Sequence, residues 1–241
     1  ALDNAGRIEG RVTNGVGVLM VDAGDGAANR INNSGTIETK GAQAPGLLLG
    51  GIGAEMSNSG TIRTREAESY GGGRVGRGLD VTTVTGSEIT TEGADAIGLK
   101  IGNLDTIPSF IGTISPKVSE LERLLVAELE LDADEAADFL APATGTVTLA
   151  GTIETKAPYV PAEEGRSSEI QPALLAVMDE GAVENSGTLR ADDLTAVIVN
   201  GTTFRNSGLI EARSALDTAS EGFGRALILD GSGFFTVRNT G

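Results

Sequence analysis

Glu38, Glu154 and Glu211 each directly follow an isoleucine at the same place in a recurring phrase, and Asp192-Asp193 form an adjacent acidic pair. If the fold brought such residues side by side, two carboxylates ~5–10 Å apart could flank a sugar ring and divide the acid and base roles of glycoside cleavage. Two features weigh against that chemistry. Outward acidic residues on an acidic protein are ordinarily a solvated face. Sugar clefts also stack aromatic rings, and here aromatics are 3% of the chain, with no Trp. With no His and no Cys, Ser-His-Asp and Cys-His catalysis, thiolate metal sites and disulfides are all excluded. The expectation is a protein that is not an enzyme, with no catalytic residue, no cofactor and no metal.

Other local motifs fail on spacing. Asp22-Ala23-Gly24-Asp25-Gly26 and Asp132-Ala133-Asp134-Glu135 do not match the twelve-residue calcium loop with its central Gly and terminal Glu, and they read as turns or helix caps. The run Gly71-Gly72-Gly73-Arg74-Val75-Gly76-Arg77-Gly78 lacks the Gly-Lys-Ser/Thr ending and following helix of a phosphate cradle, so it reads as a flexible loop between strands. Lys and Arg number 18 against 34 Asp and Glu, a formal charge of −16. That balance disfavours nucleic acid and anionic membranes, where cationic groups must displace counterions. No apolar run approaches the ~18–20 residues of a membrane-spanning helix. Ala1-Leu2-Asp3-Asn4 carries neither the basic stretch nor the apolar core of a secretion signal, so a processed or trimmed chain is expected.

The elements that would hold these groups are legible in the repeat itself. Asn33-Ser34-Gly35-Thr36-Ile37-Glu38-Thr39 returns as Asn58-Ser59-Gly60-Thr61-Ile62-Arg63-Thr64, Asn185-Ser186-Gly187-Thr188-Leu189-Arg190 and Asn206-Ser207-Gly208-Leu209-Ile210-Glu211. With looser copies counted, the marker glycines are Gly6, Gly35, Gly60, Gly86, Gly112, Gly151, Gly187, Gly208 and Gly241, standing 21 to 39 residues apart. A fixed phrase at such a period signals a stacked-repeat architecture. Thr-Ile-Glu-Thr alternates polar and apolar with β-branched residues, as a half-buried strand does. Asn-Ser-Gly reads as a turn, with Gly and Asn supplying positive φ.

A second strand follows in each repeat: Val18–Asp22, Gly46-Leu47-Leu48-Leu49-Gly50, Gly78-Leu79-Asp80-Val81, Gly98-Leu99-Lys100-Ile101-Gly102, Ala196-Val197-Ile198-Val199 and Ala226-Leu227-Ile228-Leu229. Asp80 and Lys100 set its phase, with the middle residue outward. The fold expected is all-β: one single-stranded, right-handed parallel β-helix, or β-solenoid, of eight or nine coils spanning 1–241. Ile8, Ile37, Ile62, Ile89, Ile114, Ile153, Leu189 and Ile210 form its inner column. Two insertions interrupt it. Residues 115–141 are helical, opening on Ser115-Pro116 and holding a second short helix from Asp132 or Asp134 to Phe139-Leu140. Residues 157–171 form an irregular loop. Leu48, Ile198, Ile228 and Met20 would lie outward beside Asp80 and Lys100, an apolar strip that needs covering, and the Leu-rich face of 116–131 is the nearest cover.

Repeats such as Asn33-Ser34-Gly35-Thr36-Ile37 followed by Ala44-Pro45-Gly46-Leu47-Leu48-Leu49 resemble the passenger regions of autotransporter-type surface proteins of Gram-negative bacteria. The resemblance covers the chain apart from residues 115–145 and 157–171. It implies an extracellular or cell-surface rod, structural or adhesive, and agrees with the absence of Cys; the helical insertion and the lack of a membrane barrel after Gly241 depart from it. The alternative is a β-helix that binds or cleaves polysaccharide. Partners expected are polysaccharide or a cell surface, with no insertion into membrane. Both termini also fall within rungs, and Arg238-Asn239-Thr240-Gly241 reads on into Ala1-Leu2-Asp3-Asn4 as more of the same repeat. Head-to-tail stacking is therefore expected, either of separate copies into a filament or onto flanking rungs of a longer rod.

Overall fold

Each repeat makes one turn of three short strands, and the next turn lays a parallel strand on each. In the computed structural model the described residues are all those outside 22–28, 103–125, 128–129, 131, 141–142, 157–170, 193, 200–201, 214–224, 231–235 and 241. The first turn is β1 (Leu2–Asn4), β2 (Arg7–Gly10) and β3 (Val18–Val21). The second is β4 (Arg30–Asn33), β5 (Thr36–Thr39) and β6 (Leu47–Gly50); the third is β7 (Glu55–Asn58), β8 (Thr61–Thr64) and β9 (Tyr70–Val75). Then come β10 (Leu79–Thr83), β11 (Glu88–Thr91) and β12 (Ile97–Ile101). The fifth turn holds β13 (Ala143–Leu149), β14 (Thr152–Thr155) and the first part of β15 (Leu174–Asn185), which bends to open the sixth. There it meets β16 (Thr188–Ala191) and β17 (Leu194–Val199). Finally β18 (Thr202–Asn206), β19 (Leu209–Ala212) and β20 (Arg225–Asp230) form the seventh turn, and β21 (Thr236–Asn239) opens an eighth.

Every strand pairing among the described residues is parallel. The strands fall on three sides. Side A runs from β1 to β21, side B from β2 to β19 and side C from β3 to β20, with β15 passing from C to A without a break. On side B, Ile8, Ile37, Ile62, Ile89, Ile153, Leu189 and Ile210 pair rung on rung. From Ile37 to Leu189 they are fully buried. Burial of each such side chain contributes about 1.5–3 kcal/mol. Ile31, Met56, Val81, Val147, Val183 and Phe204 fill the same core from side A, and Leu47, Leu99, Leu174 and Ala196 from side C.

Several expectations are corrected. Among the described residues the strands make seven turns and one strand of an eighth, against the eight or nine expected, and Ile89 pairs directly with Ile153. Side A was not anticipated. Gly78-Leu79-Asp80-Val81 belongs to it, and the second strand of that repeat is Tyr70–Val75, which had read as a loop. A Cβ on Gly73 would lie 2.3 Å from Cε2 of the Tyr70 ring, and one on Gly71 2.4 Å from Cγ2 of Ile89.

The phrase itself works differently from a positive-φ turn. Of its described glycines only Gly86 has one, at 88°. Glycine is required elsewhere by close approach: a Cβ on Gly60 would lie 2.1 Å from the carbonyl oxygen of Gly35, and one on Gly208 equally close to that of Gly187. The asparagines end side-A strands and turn inward. Asn4 Nδ2 donates to Asn33 Oδ1 at 2.7 Å, Asn33 to Asn58 at 2.7 Å, Asn185 to Asn206 at 2.7 Å and Asn206 to Asn239 at 3.0 Å. This amide ladder is interrupted only by Thr83 and Leu149, which hold the same register in turns four and five.

Of the expected helical insertion, residues 115–125 lie outside the described residues. Its second helix is present as α1 (Ala133–Phe139), capped by Asp132 Oδ1, which accepts the Asp134 N–H at 2.9 Å. Of the loop 157–171, only Gln171 is described; its side-chain amide donates to Asp95 at 3.3 Å.

Candidate interaction surfaces

Side B gathers the acidic residues singled out from the sequence into one outward column: Glu9, Glu38, Arg63, Thr90, Glu154, Arg190 and Glu211. Rungs stand ~4.8 Å apart, so Glu38 and Glu154, three rungs apart, are about 14 Å from each other, and Glu154 and Glu211 about 10 Å. Arg190 occupies the rung between the last two. Each carboxylate is ion-paired. Glu38 meets Arg7 Nη2 and Arg65 Nε at 2.6 Å, with Lys40 at 3.8 Å. Glu154 meets Arg213 at 2.7 Å and Lys156 at 3.3 Å; Glu211 pairs with Arg190. Hydrogen bonds from Lys40 and Arg11 hold Glu9 well below the ordinary carboxylate range, at about 2, and the Arg65 hydrogen bond lowers Glu38 as well. A general acid needs the opposite shift. Among the described carboxylates only Asp192 moves upward, through burial, with Arg213 opposing and nearby Glu154 adding; Asp193 lies outside the described residues. Along the column the carboxylates are paired with arginine and lysine.

Side C is the reverse. Its outward column is Leu19, Leu48, Gly73, Lys100, Leu175, Val197 and Ile228. Leu48, Lys100 and Ile228 therefore face outward as expected, whereas Ile198 and Met20 belong to the inner column and its cluster. The middle of the outer face is covered: Leu48, Tyr70, Leu175 and Val197 are buried in a second apolar cluster against which Val126 and Leu140 of the insertion pack, while Leu19 in the first turn stays exposed. The covering segment is thus the expected one at Val126, extended to Leu140; Leu121 and Leu125 lie outside the described residues. Lys100 Nζ sits 5.0 Å from the centre of the Tyr70 ring, a cation–π contact, and burial pushes the Tyr70 hydroxyl far up.

Sequence reasoning missed Arg74, which stands in the inner column between Leu49 and Ile101. It is fully buried, and Nη2 donates to the carbonyls of Gly51 at 2.7 Å and Arg77 at 3.2 Å, tying two successive corners together. Desolvation lowers it to about 10. A detectable signal existed, since Arg74 falls two residues after Gly72, at an inward position of period two.

At the ends the inner columns run out. Val237 is 53% exposed, while Leu2, Ile8, Met20 and Ile210 are half-buried. A polar cavity of about 290 Å³ opens beside the last rungs, lined by Glu184, Arg205, Arg238, Ser186, Ser207 and Thr240 among others. Among the described residues no group of three acidic or metal-ligating side chains could hold a metal, and no helix is long and apolar enough to cross a membrane. Compared with known proteins, the chain matches no family model, no curated protein and no solved structure.

Proposed function

We propose that the chain is a non-catalytic structural or adhesive rod: a right-handed β-solenoid, displayed outside the cell in the manner of an autotransporter passenger. Its end rungs receive further rungs, from another copy or from flanking repeats. The observation that carries this reading is the continuity of the rung stack itself. The Ile column of side B is continuous through the described turns, and the Glu38, Glu154 and Glu211 carboxylates beside it are neutralised by arginine and lysine. A polysaccharide-binding reading is favoured by the polar cavity near Arg205 and Arg238, whose hydroxyl and guanidinium lining suits an acidic sugar.

The test is incubation with neutral and acidic extracellular polysaccharides. The rod reading expects no new reducing or unsaturated chain ends. Ends that appear with the native chain and vanish with Glu154→Gln would replace it with an enzyme.

A further inference from the structure

Asparagine followed by a small residue is chemically labile. The next residue's backbone nitrogen attacks the side-chain carbonyl carbon, ammonia leaves, and water opens the resulting succinimide to isoaspartate or aspartate. Both of the fast sequences are present. Asn14-Gly15 is the one Asn-Gly among the described residues, and Asn-Ser recurs as Asn33-Ser34, Asn58-Ser59, Asn185-Ser186 and Asn206-Ser207. The rung stack treats the two in opposite ways. We propose that Asn14 is a self-modification site that converts to isoaspartate, while the amide ladder withholds the repeat's asparagines from the same reaction.

The ladder restrains both reacting groups. Asn33, Asn58, Asn185 and Asn206 are buried, and their side-chain amides are held by those of neighbouring rungs. The attacking nitrogens are held as well. Ser34 N–H donates to the Asn4 carbonyl at 2.8 Å, Ser59 to Asn33 at 2.8 Å, Ser186 to Leu149 at 2.7 Å and Ser207 to Asn185 at 2.8 Å. Each of these bonds joins one rung to the rung before it. Freeing such a nitrogen means parting two turns, an opening close in cost to unfolding.

Asn14 has neither restraint. It stands exposed at the corner between β2 and β3, and among the described residues nothing holds its side-chain amide. Gly15 N–H donates to the Val12 carbonyl at 3.1 Å within the same exposed turn, so rotating one peptide frees it without parting rungs. Gly15 also adds no side chain to hinder the approach. Gln43, Glu68 and Asp95 take the same corner in the next three turns, at φ 54°, 59° and 55° against 60° for Asn14, and none of them is an asparagine before glycine. Isoaspartate threads the former side-chain carbon into the backbone, lengthening the chain beyond the Cα of residue 14. Gly17 and Val18 donate their N–H groups to Pro45 and Gly46 at 2.9 and 3.0 Å, and the added carbon shifts them out of register. The product is a loosened β3 in an otherwise intact stack.

The test ages the full chain in mildly alkaline buffer beside a sample unfolded in urea. Both are mapped by proteolysis and mass spectrometry, with isoaspartyl methyltransferase marking the isomer. Asn200-Gly201, outside the described residues, falls in a separate peptide. In the folded chain Asn14 should convert at least about tenfold faster than Asn33, Asn58, Asn185 or Asn206, and in urea those four should lose their protection. Hydrogen exchange should quicken at Gly17 and Val18 of the aged chain and stay unchanged in aged Asn14→Gln. That variant keeps the residue type of the Gln43 corner, and its longer side chain cyclises far more slowly. An Asn14 that stays an amide in the folded chain while converting in urea overturns the site. Ladder asparagines that convert as fast folded as unfolded overturn the protection. Exchange that quickens equally in aged Asn14→Gln overturns the link to β3.

Discussion

Sides B and C share one backbone plan, yet their outer faces have opposite fates. On B the outward positions are mostly charged, and Glu38 and Glu154 are nearly buried beneath the cations that pair with them. On C they are mostly aliphatic, and the insertion packs Val126 and Leu140 against them. The inner columns of both are alike, so the rung fold does not distinguish the two sides. What differs is whether a second layer is present. The charged side can end at water because its carboxylates find cations on neighbouring rungs, and the apolar side cannot. The stack therefore has a lined side and a bare side.

Substitutions can sharpen that contrast. The largest effect is expected at the covered face. Leu175→Ala should cost about 2–5 kcal/mol in denaturant unfolding, as much as Ile62→Ala in the inner column, because both create a cavity. If Leu175→Ala costs well under half as much as Ile62→Ala, side C is effectively an outer surface and the contrast with B collapses.

Next is the corner between A and B. Asn33→Leu strands the Asn4 donor and the Asn58 acceptor at once, and each buried unpaired group costs about 1–3 kcal/mol. Thr83 and Leu149 interrupt the ladder naturally, so Leu149→Ala should show a cavity cost with no loss of amide pairing. Comparing amide side-chain NMR signals in the two variants separates these effects.

Acidification should act on side B alone. Glu9 and Glu38 have folded-state pKa values below the ordinary carboxylate value, Glu9 at about 2 and Glu38 lowered. Their ion pairs thus stabilise the fold above pH ~4.5 and lose that contribution as pH falls towards ~2. Glu38→Gln should flatten the fall in thermal midpoint across this window, whereas Leu175→Ala should shift the midpoint without changing its pH slope. The smallest effect belongs to an exposed pair. Arg205→Gln, removing the partner of Glu184, should change stability by only ~0–1 kcal/mol, and less at high salt.

Much of this could be read from the sequence, for a definite reason. Thr-Ile-Glu-Thr combines period two, β-branching and a fixed interval, so strand type, parallel stacking and the inner Ile column were all legible. Side A was hidden because its strands share little in sequence: Leu2-Asp3-Asn4 and Val81-Thr82-Thr83 look unrelated until registered rung on rung. The phrase misled in its glycine and asparagine, whose ordinary turn roles are replaced here by backbone crowding and amide pairing, both visible only between turns. The phase at Met20 and Ile198 was missed by one residue, since Val197, not Ile198, is in register with Leu175 and Ile228. Gly112-Thr113-Ile114 matched the phrase and lies outside the described residues. Arg74 ran against the expectation that inward positions are apolar.

The central claim is that rungs stack in parallel register, with Ile89 directly on Ile153. Isoleucine-methyl labelling of the intact chain tests it most directly, through methyl–methyl nuclear Overhauser contacts. The predicted result is an unbroken series from Ile8 through Ile37, Ile62 and Ile89 to Ile153. Contacts that instead place Ile114 between Ile89 and Ile153, or that join these residues in any other order, would contradict the stack described.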